Sequence, residues 1–346
     1  MVRTSLWSLR LPAAFFALSC SSSEPAAPAA PELPACPPDG ATAPTELRCT
    51  GLFSDWKTKK LAVEASPFKP GAELWSDGAE KLRYALIPKG TKIDTTNPDD
   101  WVFPVGTKTW KEFRVGGKRI ETRFYWKVSA SQWAWATYLW SPDESRAERD
   151  DKGKPEAANN YDVPSVESCD KCHAGAKDKV LGIQALLTSL PEAQGLTLAK
   201  LKADGLLSAD VTVPPIPEDA TGKARAALTY LHVNCGAACH DSASYSPGLQ
   251  SGLFMKLNMA ELALGKVSEL GAYKTTVGRE VFGNAYFEYK AKGFLRIKPG
   301  VAAESLLPEL AKVRGPQIQM PPVGSRQPDP AGRGLVEAWI NALPPN

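Results

Sequence analysis

Nine of the ten tryptophans in this chain, at positions 7, 56, 75, 101, 110, 126, 133, 135 and 140, lie before residue 141, whereas all three histidines lie after residue 172. A stretch dense in large aromatic side chains and a stretch that holds every imidazole call for different cores, so the two halves are expected to do different work. A length of 346 residues is enough for two domains of ordinary size. With 43% hydrophobic and 23% charged residues, wholesale disorder is excluded. The balance of 41 basic against 38 acidic side chains gives no argument for nucleic acid. Thirty prolines favour rigid linkers and edge-rich structure over a helical bundle.

Arg3 and Arg10 flank the charged start, Leu11 to Leu18 is an uncharged apolar run, and small Ser19 precedes Cys20. This segment, 1–20, resembles a bacterial lipoprotein signal, which implies export and a lipid on Cys20; ordinary cleavage that leaves Cys20 a free thiol is the alternative. The protein is expected in the periplasm or at the outer membrane, held to the membrane through a lipid anchor. Residues 21–48 contain seven prolines among alanine and serine and read as an extended tether. In that oxidising compartment Cys36 and Cys49 are expected to pair as a disulfide at the domain edge. No later stretch approaches the roughly 20 apolar residues of a membrane-spanning helix.

Residues 49–150 read as a β-rich domain. Ile120, Thr122, Phe124, Trp126 and Val128 alternate with Arg119, Glu121, Arg123, Tyr125 and Lys127, the pattern of a strand buried on one face. Gly116-Gly117 separates that run from Trp110 to Val115, which predicts a hairpin with a primed turn. Trp133 to Leu139 and Lys81 to Ile87 are expected as further strands. The tryptophans are read as core, the alternative being a carbohydrate platform.

Chemistry enters at Cys169-Asp170-Lys171-Cys172-His173. On a helical turn, cysteines three apart place both sulfurs on one face, where each can form a thioether with a porphyrin vinyl group, and the next residue can turn its imidazole to the iron. This is the signature of c-type haem attachment, with His173 as an axial ligand. Cys235-Gly236-Ala237-Ala238-Cys239-His240 repeats the theme with one extra residue. The sulfurs remain about one turn apart, so the helix must bulge or tighten, and His240 is the corresponding ligand. The competing reading gathers Cys169, Cys172, Cys235 and Cys239 into one tetrahedral zinc site. With three histidines in the chain, chance placement of one directly behind each cysteine pair is on the order of 1 in 10,000, and haem ligation requires that placement.

Met320 lies in Gln317-Ile318-Gln319-Met320-Pro321-Pro322, where a thioether sulfur on a proline-stiffened loop suits an axial ligand; a core methionine is the alternative. Asp329 and Pro330 suit the N-cap and first position of a last helix with Leu335, Val336, Trp339, Ile340 and Leu343 on its apolar face. Ala224, Ala227, Leu228 and Leu231 give an amphipathic helix before Cys235. The first site has no obvious sixth ligand: His232, Met255 and Met259 are weighed, His232 more as a packing residue, and an open iron is the other outcome.

With Tyr230 to Cys235, Met320-Pro321-Pro322 and the closing helix together, residues 221 to 346 resemble a class I cytochrome c domain, which implies His240 and Met320 as the axial pair of one haem. Gly51-Leu52-Phe53, Leu74 to Ala79, Val180-Leu181-Gly182 and Arg296 to Gly300 resemble a group of exported bacterial dihaem c-type cytochromes in which a β domain precedes two haem motifs. That likeness covers nearly the whole chain from about residue 50 and brings no settled activity with it. The group usually has two residues between the cysteines of the second motif, where this chain has three.

The expected fold is α+β and multidomain: an N-terminal β-rich domain, a first haem-attachment segment at 151–215, and a mostly α, class I cytochrome c-like domain at 216–346. The expected function is single-electron transfer in the cell envelope by two covalent haem c groups, with redox proteins of the envelope as partners. Two alternatives remain. One is a dihaem peroxidase-like oxidoreductase with an open first haem, and the other is an envelope ligand-binding protein acting through its β domain.

Overall fold

The period-two segments form a six-stranded antiparallel meander, β3 to β8, in which every strand pairs with its neighbours in sequence. Its strands are β3 (Ser66–Phe68), β4 (Glu80–Leu86), β5 (Lys108–Val115), β6 (Lys118–Lys127), β7 (Trp133–Trp140) and β8 (Ala147–Arg149). A ribbon of β1 (Phe53–Asp55) and β2 (Lys60–Leu61) precedes it, and a second ribbon of β9 (Lys154–Ala158) and β10 (Tyr161–Val163) follows. The computed structural model describes Met1 and residues 34–37, 40–315 and 318–345. Cys20, the rest of the expected signal after Met1, residues 21–33, 38 and 39 of the expected tether, and Gln317 lie outside the described residues. Val115 pairs with Lys118, and Gly116 and Gly117 between them have φ of +58° and +79°. A primed turn needs that sign at both central positions, which glycine supplies without steric cost.

One face of the sheet packs Trp110, Phe124, Tyr138 and Trp140 with Leu47 and Leu52. These tryptophans are core, as side chains on strands usually are. Cys36 and Cys49 are disulfide-bonded. The packed region begins before residue 49, because Ala43 and Leu47 are buried and the Tyr138 hydroxyl donates to the Pro44 carbonyl at 2.8 Å. Tether character therefore ends ahead of residue 43, a correction that follows from a backbone carbonyl recruited to satisfy a buried phenol.

The opposite face is not solvent-facing, and here the one-sided strand expectation needs correction. Glu121, Tyr125 and Lys127, on the polar side of β6, are all buried. The chain beyond β10 returns across this face and covers it.

That chain carries α1 (Val166–His173), α2 (Ala185–Ser189), α3 (Leu198–Ala203), α4 (Ala224–Leu231), α5 (Met259–Leu262), α6 (Gly271–Lys274), α7 (Phe287–Ala291), α8 (Leu306–Lys312) and α9 (Pro330–Ala342). The protein thus has a β-rich N-terminal region with antiparallel sheets and a later helical part. Residues 37–346 form one compact unit, and its largest core cluster takes Ile93 and Trp101 from the β-rich region, Leu186 and Leu201 from the middle, and Leu228 and Trp339 from the last helices. Asp329 caps α9 by accepting from the Gly332 amide at 2.9 Å, with Pro330 at its first position. A Cβ at Gly332 would fall 1.8 Å from the Tyr230 ring, so α4 and α9 cross at a distance only glycine permits. Leu335, expected on the apolar face of α9, is 44% exposed. Among the described residues no helix is long and apolar enough to cross a membrane.

Candidate haem cleft

α1 is a short α-helix that ends on His173, with Cys169 and Cys172 one turn apart along it. Sheet and helix are locked by Asp178, just beyond the motif. Its carboxylate binds Lys127 Nζ at 2.7 and 2.8 Å and accepts from Trp133 Nε1 at 3.1 Å and the Phe103 amide at 2.6 Å. The Tyr125 ring stacks on His173, with centroids 4.4 Å apart. The polar face of β6 is therefore the floor under the first motif.

The second motif follows α4 through a π-helical stretch, His232–Gly236. Ala237 N–H donates to His232 at 2.7 Å and His240 N–H to Cys235 at 2.9 Å, both five residues back. A π-bulge absorbs one inserted residue, which is the bulge that the longer Cys235–Cys239 spacing demands. The loop Leu74 to Ala79 steadies this region from the other side. Trp75 N–H donates to Asn234 Oδ1 at 2.7 Å, Trp75 Nε1 donates to the Gln327 carbonyl at 2.9 Å, and Asp77 accepts from the Arg326 and Gln327 amides.

Both motifs meet in one cleft enclosing about 2020 Å³ of empty space, open mouth included. Cys169, Cys172, His173, Cys235, Cys239, His240 and Met320 all line it. The four cysteines are free. A Cβ on Gly175 would lie 2.0 Å from the Ala238 carbonyl oxygen, so the two motifs pack backbone to backbone. The Cys239 thiol donates to the Lys171 carbonyl at 3.6 Å and lies beside the Cys172 sulfur; the interaction between the two draws Cys172 down to about 7 and holds the Cys239 thiol protonated. Burial pushes Cys235 up to about 12 and raises Cys169.

The histidine tautomers follow from proton counting. His173 Nδ1 lies 2.6 Å from the Lys179 carbonyl, which can only accept, so Nδ1 carries the proton and Nε2 the lone pair. His240 Nδ1 lies 3.1 Å from Ser251 Oγ, whose single proton is donated to the Gly248 carbonyl at 2.6 Å; His240 Nδ1–H must donate here too. Arg296 braces that loop by donating to the Ser251, Gly252 and Thr275 carbonyls. Burial pulls His173 down to about 4 and lowers His240 as well, keeping both imidazoles neutral at ordinary pH. A neutral imidazole with Nδ1–H engaged and Nε2 basic is the form that ligates iron. Free thiols in pairs, each followed by such an imidazole, fit a covalently held haem. The single tetrahedral zinc site is not assembled, since among the described residues no group of three or more His, Cys, Asp or Glu side chains converges to hold a metal ion.

Of the sixth ligands weighed for the first site, Met255 lines the cleft, and His232 and Met259 do not. His232 is a buried packing residue: its Nδ1 accepts from the Leu257 amide at 3.0 Å, and burial pulls it down to about 3. Met320 packs beside Leu306 and Leu310, and its amide donates to the Leu310 carbonyl at 2.9 Å. Sequence reasoning missed Tyr125, Lys111 and Asp178 as parts of the site. A tyrosine among the charged positions of β6 was the available signal that this face is covered.

No protein-family model matches the chain, and no curated protein or solved structure matches it.

Proposed function

We propose that this protein is an exported c-type cytochrome that binds two covalent haems and passes single electrons in the cell envelope. The observation that carries the reading is the meeting of both Cys-Cys-His turns and Met320 in one cleft, with both imidazoles in the iron-ligating tautomer. Cys169 and Cys172 would hold one porphyrin and Cys235 and Cys239 the other, with His173, His240 and Met320 as axial ligands. Bound haem supplies exchange of one electron between ferrous and ferric iron. The chain's own part is to fix ligand orientation through Lys179 and Ser251 and to keep the cleft wall apolar with side chains such as Leu74 and Val336. A lipid on Cys20 would anchor it to the membrane, where envelope redox proteins would dock.

The test is a count. Intact mass and the pyridine haemochrome should give two haems per chain, and either Cys169→Ala with Cys172→Ala or Cys235→Ala with Cys239→Ala should leave one. A wild type that contains zinc and has no Soret band sinks the proposal. Ready binding of cyanide or carbon monoxide by one iron would shift the protein from carrier to haem-dependent oxidoreductase.

A further inference from the structure

The sheet face beneath the first motif carries more positive charge than its own carboxylates neutralise. Arg83 of β4 pairs in register with Lys111 of β5, which pairs with Arg123 of β6, so three cations lie side by side across three strands. Like charges directly opposite one another destabilise a sheet, and such a row persists only where anions compensate it. Arg83 has Glu73 at 2.8 Å and Arg123 has Glu121 at 2.6 Å. Lys81, on the same face, lies 4.0 Å from Glu73, which it shares with Arg83, and donates to the Leu74 carbonyl. Lys111, in the middle, has no carboxylate or carbonyl partner among the described residues; its Nζ stands 5.1 Å from the Phe113 ring. Of the three cations in the row, Lys111 alone has no carboxylate at ion-pair distance among the described residues, and it lines the cleft together with Arg123, Cys169, Cys172 and His173. Burial, with Arg83, Lys81 and Arg123 around it, holds the Lys111 amine well below its ordinary value, as expected where a counter-charge is missing.

We propose that Lys111, flanked by Arg83 and Arg123, is an anion site in the wall of this cleft, built to take a carboxylate or a comparable small oxyanion beside the first motif. Two sources share that chemistry: a propionate of the porphyrin attached at Cys169 and Cys172, or a free small acid that enters the cleft. The inference deepens the dihaem reading and rests on it for the first source only.

The test compares full-length wild type with Lys111→Met, which keeps the aliphatic length, and Lys111→Arg, which keeps the charge. Formate is the free-acid probe, followed by calorimetry, and redox titration reports on a propionate. For a free acid, wild type should bind formate saturably, Lys111→Met should bind it at least 10-fold more weakly, and Lys111→Arg should restore binding. For a propionate, formate should bind neither variant nor wild type. One of the two midpoint potentials should then fall in Lys111→Met and stay near the wild-type value in Lys111→Arg, because removing a nearby cation favours ferric iron. Unchanged formate affinity together with unchanged midpoints in a folded Lys111→Met protein overturns the anion site. If the chain proves to contain no haem, the dihaem reading falls, while formate binding lost in Lys111→Met still upholds the anion site.

Discussion

Cys169 and Cys172 sit on a regular α-helix laid against a β-sheet, whereas Cys235 and Cys239 straddle the end of a π-helical stretch inside a helical core. The first turn is fixed from below by a buried ion pair and an aromatic stack, the second by Trp75, Asn234 and a serine that orients His240. The contrast teaches that cysteine spacing constrains the backbone more than the sulfurs. One added residue changes the helix type yet still delivers both thiols and the imidazole to the same cleft.

The proposed sixth ligand is where the two sites should differ most. Besides Met320, the cleft is lined by Met255, the methionine weighed for the first motif. Met320→Ala should abolish the weak sulfur-to-iron charge-transfer band and lower the potential of one haem, leaving two haems attached, because a His/Met pair sits higher than His/water. Unchanged spectrum and midpoints would make Met320 a core residue and remove the asymmetry.

The next largest effect concerns the first motif's support. The Lys127 side chain is 2% exposed, and Asp178→Ala would strand its charge while also orphaning Trp133 Nε1 and the Phe103 amide. Chemical denaturation should show a loss of about 3–5 kcal/mol, the usual cost of breaking a buried pair from one side. Asp178→Ala combined with Lys127→Met should recover part of it.

Acid should act on the second motif's support. His232, held near 3 by burial, is neutral in the folded chain and takes up a proton on unfolding below its ordinary value of about 6.5. Its contribution is present above about pH 6.5 and is lost as pH falls toward 3, amounting to roughly 3 kcal/mol by pH 4. His232→Gln keeps an acceptor for the Leu257 amide and should flatten that part of the stability–pH curve. An unchanged slope would place the acid sensitivity elsewhere.

The smallest effect tests the contact between the motifs. Gly175→Ala puts a methyl group where the Ala238 carbonyl already lies, and should lower stability by about 1–3 kcal/mol. Both haem spectra should shift together. A shift in one alone would mean that the motifs are mechanically independent.

Much of this was legible in the chain itself. Alternating side chains, a Gly-Gly turn and an Asp-Pro helix start are local signals, and β4 to β7, the hairpin and α9 appear within a residue or two of their expected bounds. The two Cys-Cys-His turns are equally local, so the residues of the site could be named before their arrangement was known. Tertiary structure alone decided that both turns open into a single cleft, that His232 turns away from it, and that the charged side of β6 lies beneath α1. Periodicity reports which residues share a face and says nothing of what covers that face. Arg83, Lys111 and Arg123 are far apart in sequence, and only strand register, set by pairing across the whole sheet, makes them neighbours.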